Sequence, residues 1–180
     1  MTKKYFINRG LECYCSALAN LLVEIGDEQT AHKVFDDYKH TRLASKDGGM
    51  HIGLVTRALS ELTKERYEGT LTASFDDNYD ANLRKSFPAE ADFILRIMKE
   101  EREKGRIKSH NGRIYHSLPA IFFIKINNDN HYNVCVEENV FIDDGRRGHF
   151  PMRNLDILAV LEVRRIFTPQ QAGGYSTKKF

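Results

Sequence analysis

From Leu118 onward this chain changes rhythm: the runs 118–126, 131–136 and 140–143 carry strand-like apolar patterns with turn residues between them. Earlier the spacing is helical. Leu18, Leu21, Leu22 and Ile25 recur three or four residues apart and stop at Gly26, which predicts a helix over 13–25. A second helix is expected over 28–38, and a third after Gly48-Gly49, where Ile52, Val55, Leu59 and Leu62 define one apolar face. Residues 66–75 show a thin strand pattern. Phe93, Ile94, Ile97 and Met98 give 88–104 an apolar stripe, with Lys99 to Lys104 read as a solvated helix end. A helix over 154–161 and a strand over 163–167 complete the expectation. Helices first and antiparallel strands afterwards is the order of an α+β domain, with N-terminal helices packed on a C-terminal antiparallel sheet.

At 180 residues the chain suits one domain over 1–167, large enough to bury a core without disulfides or a structural metal, followed by a flexible tail over 168–180. Hydrophobic residues at 41% and charged residues at 29% fit a folded cytoplasmic protein and exclude the disordered and membrane classes. Lys and Arg number 27 against 25 Asp and Glu, so a net charge of +2 gives no field to attract nucleic acid or anionic lipid. No run reaches transmembrane length, and Asn8 and Arg9 interrupt the N-terminus before a signal-peptide core can form. The cysteines are Cys13, Cys15 and Cys135. An odd number, two of them one residue apart, reads as free thiols in a reducing compartment.

A thiol becomes nucleophilic as the thiolate, and the unpaired N–H groups of a helix start favour that form. Cys13 and Cys15 both lie at the start of the first expected helix. His131 follows the turn 127–130 and opens a strand. The next strand returns through Glu137-Glu138-Asn139, a loop length at which Asn139 takes the left-handed position and Val136 faces Val140. In that register Tyr132, Val134, Val136, Val140 and Ile142 share a core face, and His131 shares the other with Asp143. A loop one residue shorter puts Asp144 beside the histidine instead. A carboxylate there fixes the imidazole tautomer and stabilises the imidazolium that a thiolate requires.

The segment Leu11-Glu12-Cys13-Tyr14-Cys15-Ser16-Ala17-Leu18-Ala19-Asn20-Leu21-Leu22 resembles the nucleophile helix of the bacteriocin-processing, double-glycine leader peptidases of the papain-like superfamily. Gly48 to Leu59 is similar to their glycine-led helix. His131-Tyr132-Asn133-Val134 and Ile142-Asp143-Asp144-Gly145 are similar to their histidine strand and aspartate turn, with 88–111 as an insertion. The resemblance implies a papain-like fold, Cys13 rather than Cys15 as nucleophile, His131 as base and then acid, and Asp143 as its orienting partner. It implies hydrolysis of a peptide or amide bond in a peptide or protein substrate, and neither a metal nor an organic cofactor. Two positions depart from the family. Its oxyanion-hole glutamine falls on Ile7, with Asn8 the adjacent amide able to donate the same hydrogen bond, and its glycine after the cysteine is Tyr14, which points either to narrowed substrate access or to a different acyl acceptor.

Three other readings use the same residues. Cys13, Cys15, Cys135 and His131 are the ligand types of a tetrahedral zinc site, against which stands the single residue between the first two. A papain-like acyltransferase would use the same Cys-His pair on a small acyl substrate. An inactive binding module of the same fold would explain Ile7 and Tyr14. Arg146-Arg147 reads as a solvated pair, His51 and His149 have no evident partner, and Gly173-Gly174 is the natural punctuation of a flexible tail.

Overall fold

The computed structural model describes residues 3–110, 117–126 and 129–166. The expected tail over 168–180, with Gly173-Gly174, lies outside the described residues, as do 127–128 of the turn before His131. Helix α1 spans Cys13–Glu24 and buries every residue from Tyr14 to Val23. A helix that is apolar all round belongs at the centre of a fold. Its end is set by one glycine. Gly26 has φ 86°, its N–H donates to the Val23 carbonyl at 3.1 Å, and the Asp27 N–H donates to Leu22 at 2.8 Å. These two bonds form a Schellman motif, which requires a left-handed residue where only glycine is unstrained. Asp27 then caps α2, Glu28–Asp37, by accepting the Thr30 N–H at 3.1 Å. The corner between the two helices is therefore written in two adjacent residues, the backbone of Gly26 and the side chain of Asp27.

Helix α3 covers Val55–Leu62 after a short 3-10 turn, and strand β1 covers Tyr67–Ala73 with strictly alternating burial. Helix α4, Tyr79–Ser86, was not anticipated; only Leu83 of it is buried, so it leaves almost no apolar period to detect. Helix α5, Ala91–Glu103, carries the expected stripe, but its end is not uniformly solvated. Glu101 is wholly buried and pairs with Arg57, Arg106 and Lys104.

The strands β2 (Ile107–Ser109), β3 (Ala120–Ile126), β4 (Asp129–Glu137), β5 (Val140–Asp143), β6 (Arg146–His149) and β7 (Asp156–Arg165) join β1 in one seven-stranded sheet of order β2-β1-β7-β3-β4-β5-β6. Only β1 and β2 run parallel; every other pair is antiparallel. The chain is thus α+β, with its first helices against a mostly antiparallel sheet.

The helix expected over 154–161 does not form: 156–161 and 163–165 of the strand expected after it belong to the single strand β7, while 167 lies outside the described residues. The reason is its central position between β1 and β3. Ala159 and Leu161 enter the main core beneath the helices, while Val160 enters a second core on the opposite face with Phe122, Ile124, Cys135 and Phe141. A strand covered on both faces reads as a continuous apolar run, which periodicity cannot separate from a buried helix.

Candidate functional site

Cys13 is the first residue of α1 and is half-buried, whereas Cys15 and Cys135 are buried. The Cys15 sulfur contacts the Phe35 carbonyl at 4.0 Å, and burial pushes its thiol well above the ordinary range. Cys135 belongs to the second core, contacts the Glu137 carbonyl at 3.2 Å, and is pushed up to about 12 by burial. Burial thus holds both in the thiol form. Cys15 lies in the main core with Cys13 packed against it, whereas Cys135 lies in the second, and among the described residues no group of three or more His, Cys, Asp or Glu side chains could hold a metal ion.

Glycine and tyrosine fix the start of α1. The left-handed Gly48, φ 93°, lies against Glu12; a Cβ there would stand 2.7 Å from Glu12 Cγ. The carbonyls of this loop are held from below. Tyr38 donates to Gly48 and Tyr132 to Met50, each at 3.0 Å. Tyr14 is wholly buried, donates its hydroxyl to the Val55 carbonyl at 2.8 Å and meets Tyr132 edge-on. It therefore does not narrow an entrance, and the expectation that it would is corrected. The next glycine-led segment includes His51, which does have partners: its Nδ1 accepts the Gly53 N–H at 3.1 Å and its ring packs on Phe87, while burial lowers it to about 4.

His131 lies near the start of β4 and Asp143 at the end of β5. Their hairpin pairs Val134 with Ile142 and Cys135 with Phe141, the expected register, but a bulge then sets Glu137 opposite Val140 and leaves Val136 unpaired. Asn139 takes the expected left-handed conformation at φ 62°. Tyr132, Val134, Val136 and Ile142 face the main core, and Cys135 and Phe141 the second, as alternation requires. Extending the register makes His131 and Asp143 a diagonal pair on one face, a relation that side chains can span. His131 Nε2 and Asp143 Oδ1 are 2.7 Å apart.

Hydrogen bonding to Asp143 and then to Cys13 raises the imidazole to about 10 against the opposing effect of burial. The ring therefore interacts with both the Asp143 carboxylate and the Cys13 side chain.

The aspartates on either side of the β5–β6 corner have different partners. Asp144 and Gly145, at φ 44° and 74°, form a two-residue turn with both centres left-handed, the geometry that an Asp-Gly pair favours. Asp143 points to His131, while Asp144 Oδ1 accepts the backbone N–H of Asn8 at 3.0 Å. Asn8 is half-buried, with its Oδ1 enclosed and without a hydrogen-bond partner among the described residues, while the neighbouring Ile7 is 63% exposed. Sequence reasoning missed the Asp144–Asn8 link, though the Asp-Gly pair could have signalled that Asp144 sits in a turn of its own. Arg147 is not merely solvated, since from β6 it pairs across β5 with Glu137 of β4.

A cavity of 630 Å³ lies elsewhere, between Arg57, Lys64, Arg66, Lys104, Arg106 and Arg165, three of them the partners of Glu101, and neither the cysteines nor His131, Asp143, Asp144 or Asn8 line it. Among the described residues, no helix is long and apolar enough to cross a membrane. Compared with protein-family models, curated proteins and solved structures, the chain matches none of them.

Proposed function

We propose that this protein is a papain-like thiol hydrolase that cleaves a peptide or amide bond through Cys13, His131 and Asp143. The observation that carries the reading is the Asp143 carboxylate 2.7 Å from His131 Nε2, on an imidazole raised to about 10 by that carboxylate and by its interaction with Cys13. A histidine so held is an imidazolium around neutral pH, and an imidazolium favours the thiolate beside it. The thiolate of Cys13 attacks the acyl carbon. His131 then passes its proton to the departing amine, leaving a thioester on Cys13, and afterwards takes a proton from the water that hydrolyses it. Asp143 keeps the ring oriented throughout.

Alkylation by iodoacetamide near neutral pH, with the labelled residue mapped, tests the reading. Fast labelling of Cys13, lost in Cys13→Ala and strongly slowed in His131→Ala, is the expected result. Equal, slow labelling of all three cysteines would sink it. Partition of a thioester intermediate between water and added amines separates hydrolysis from acyl transfer.

A further inference from the structure

The near balance of charge along the chain is not kept in space. The 630 Å³ cavity is lined by six cationic side chains, Arg57, Lys64, Arg66, Lys104, Arg106 and Arg165, against two carboxylates, Glu61 and Glu65. Four of the six have acidic partners. Arg57, Lys104 and Arg106 share the one buried carboxylate of Glu101, and Arg66 reaches Asp27 at 3.4 Å. Arg57 also takes Glu100, and Arg106 takes Glu68 at 3.7 Å, a carboxylate it shares with Arg164. All four of these acids stand outside the lining, so the wall itself is strongly positive. Lys64 and Arg165 are exposed, and among the described residues neither has an ion-pair partner.

Two helices end at this cavity, where open C-terminal carbonyls would repel an anion. Both ends are closed. At α5 the Arg106 N–H donates to the Glu101 carbonyl at 2.8 Å and the Gly105 N–H to Arg102 at 2.9 Å. At α3 the Glu65 N–H donates to Ser60 at 2.8 Å and the Lys64 N–H to Glu61 at 3.1 Å, the same Schellman pattern. Their left-handed residues differ. Gly105 fills that place at φ 71°, Lys64 at φ 51°. Glycine adopts this conformation without strain and lysine does not, so Lys64 lowers the stability of its corner while placing a cation on the cavity wall.

The cavity is remote from the cysteine–histidine site. His131 pairs with Ile124, Ile124 with Ile157 and Tyr67 with Arg165, so eight residues of β7, about 26 Å, separate the level of His131 from that of Arg165. Ile166 is the one apolar residue in the lining, and no aromatic ring joins it. Such a wall offers little to a nucleobase or an apolar ligand. Guanidinium forks, by contrast, match phosphate oxygens two at a time, and charges in a partly enclosed space are weakly screened.

We propose that this cavity binds a compact polyanion carrying several phosphoryl groups, held by the arginines of the wall and by the unpaired charges of Lys64 and Arg165. The site is independent of the chemistry at Cys13.

Calorimetric titration of the full chain with inorganic tripolyphosphate tests it. One equivalent is expected to bind, more weakly as salt is raised. Arg165→Gln and Lys64→Gly should each weaken binding by about fivefold or more. Lys64→Gly should at the same time raise the melting temperature, a pairing of better folding with poorer binding that a merely structural lysine would not give. Lys46→Gln, at an exposed lysine outside the cavity, should leave the affinity unchanged. Inorganic monophosphate should bind at least about tenfold more weakly than tripolyphosphate, and ATP no more tightly. Absence of binding at about 1 mM tripolyphosphate overturns the proposal. So does equal weakening by Lys46→Gln, or full affinity in both cavity variants. A single-stranded oligonucleotide that binds more tightly than tripolyphosphate overturns the ligand class in favour of nucleic acid.

Discussion

His131 Nε2 and Asp143 Oδ1 stand 2.7 Å apart across a hairpin, twelve residues distant along the chain. The carboxylate is about half exposed and the imidazole about a quarter, so the pair sits at the protein surface.

Replacing Asp143 with Asn should lower the His131 pKa from about 10 toward the ordinary 6.5, since the carboxylate is the largest cause of the rise. Imidazole proton resonances followed through a pH titration measure it. Alkylation of Cys13 at pH 7 should slow by at least about tenfold in the same variant.

The raised His131 pKa also has a sign for stability. A proton held to about 10 in the folded state but only to 6.5 when unfolded stabilises the fold fully below pH 6.5, and that contribution is lost as pH rises toward 10. Urea titrations of the wild type and His131→Ala should therefore differ most near pH 6 and converge by pH 10. His51 works in the opposite direction: held neutral down to about 4, it subtracts stability as pH falls from 6.5 toward 4.

Cys13→Ser and Cys15→Ser should part company. At Cys15, fully buried beneath the Phe35 carbonyl, a hydroxyl exchanges a weakly polar sulfur for a strongly polar oxygen and should cost about 1–3 kcal/mol. Cys13→Ser should leave stability within about 0.5 kcal/mol and abolish thiol labelling. Denaturant midpoints with mass-mapped labelling read both.

Gly26→Ala should destabilise by roughly 1–2 kcal/mol, because the end of α1 requires a left-handed residue at φ 86°. Gly105→Ala, also left-handed at φ 71° and with open space around it, is a matched comparison expected to cost a similar amount. Thermal melts measured side by side would expose a larger role for either corner.

Glu101→Ala should cost about 3 kcal/mol, since it leaves Arg57 and Arg106 facing a buried void where a carboxylate was. Glu100→Ala removes a half-exposed partner of the same Arg57 and should cost under about 1 kcal/mol. A double variant tests whether the arginine can exchange one partner for the other.

Much of this arrangement was legible before the fold was known, for reasons particular to each element. The end of α1 could be read because a glycine and a capping aspartate act within three residues of where they stand. Asp143 could be preferred to Asp144 because only one hairpin register keeps Tyr132, Val134, Val136 and Ile142 on one face. That preference survives the bulge at Val136, which lies beyond the pairs that set the register. The helix expected over 154–161 failed because Ile157 to Leu161 carry no periodic signal once both faces are covered. Helix α4 went unseen for the opposite reason, having almost nothing to bury. The solvated reading of Lys99 to Lys104 failed at Glu101, whose burial depends on arginines from α3 and from the chain entering β2.

By itself the sequence determined the local chemistry: which residues start and stop α1, which turn is left-handed, which thiol stands at a helix start, and which carboxylate shares a strand face with His131. Such features are fixed by forces that reach only a few residues. The tertiary structure alone decided that β7 runs through the middle of the sheet, that Tyr14 points into the core, and that Asp144 reaches Asn8 from 136 residues away. Those outcomes depend on which surfaces cover one another, and burial of that kind has no representation in the order of neighbouring residues.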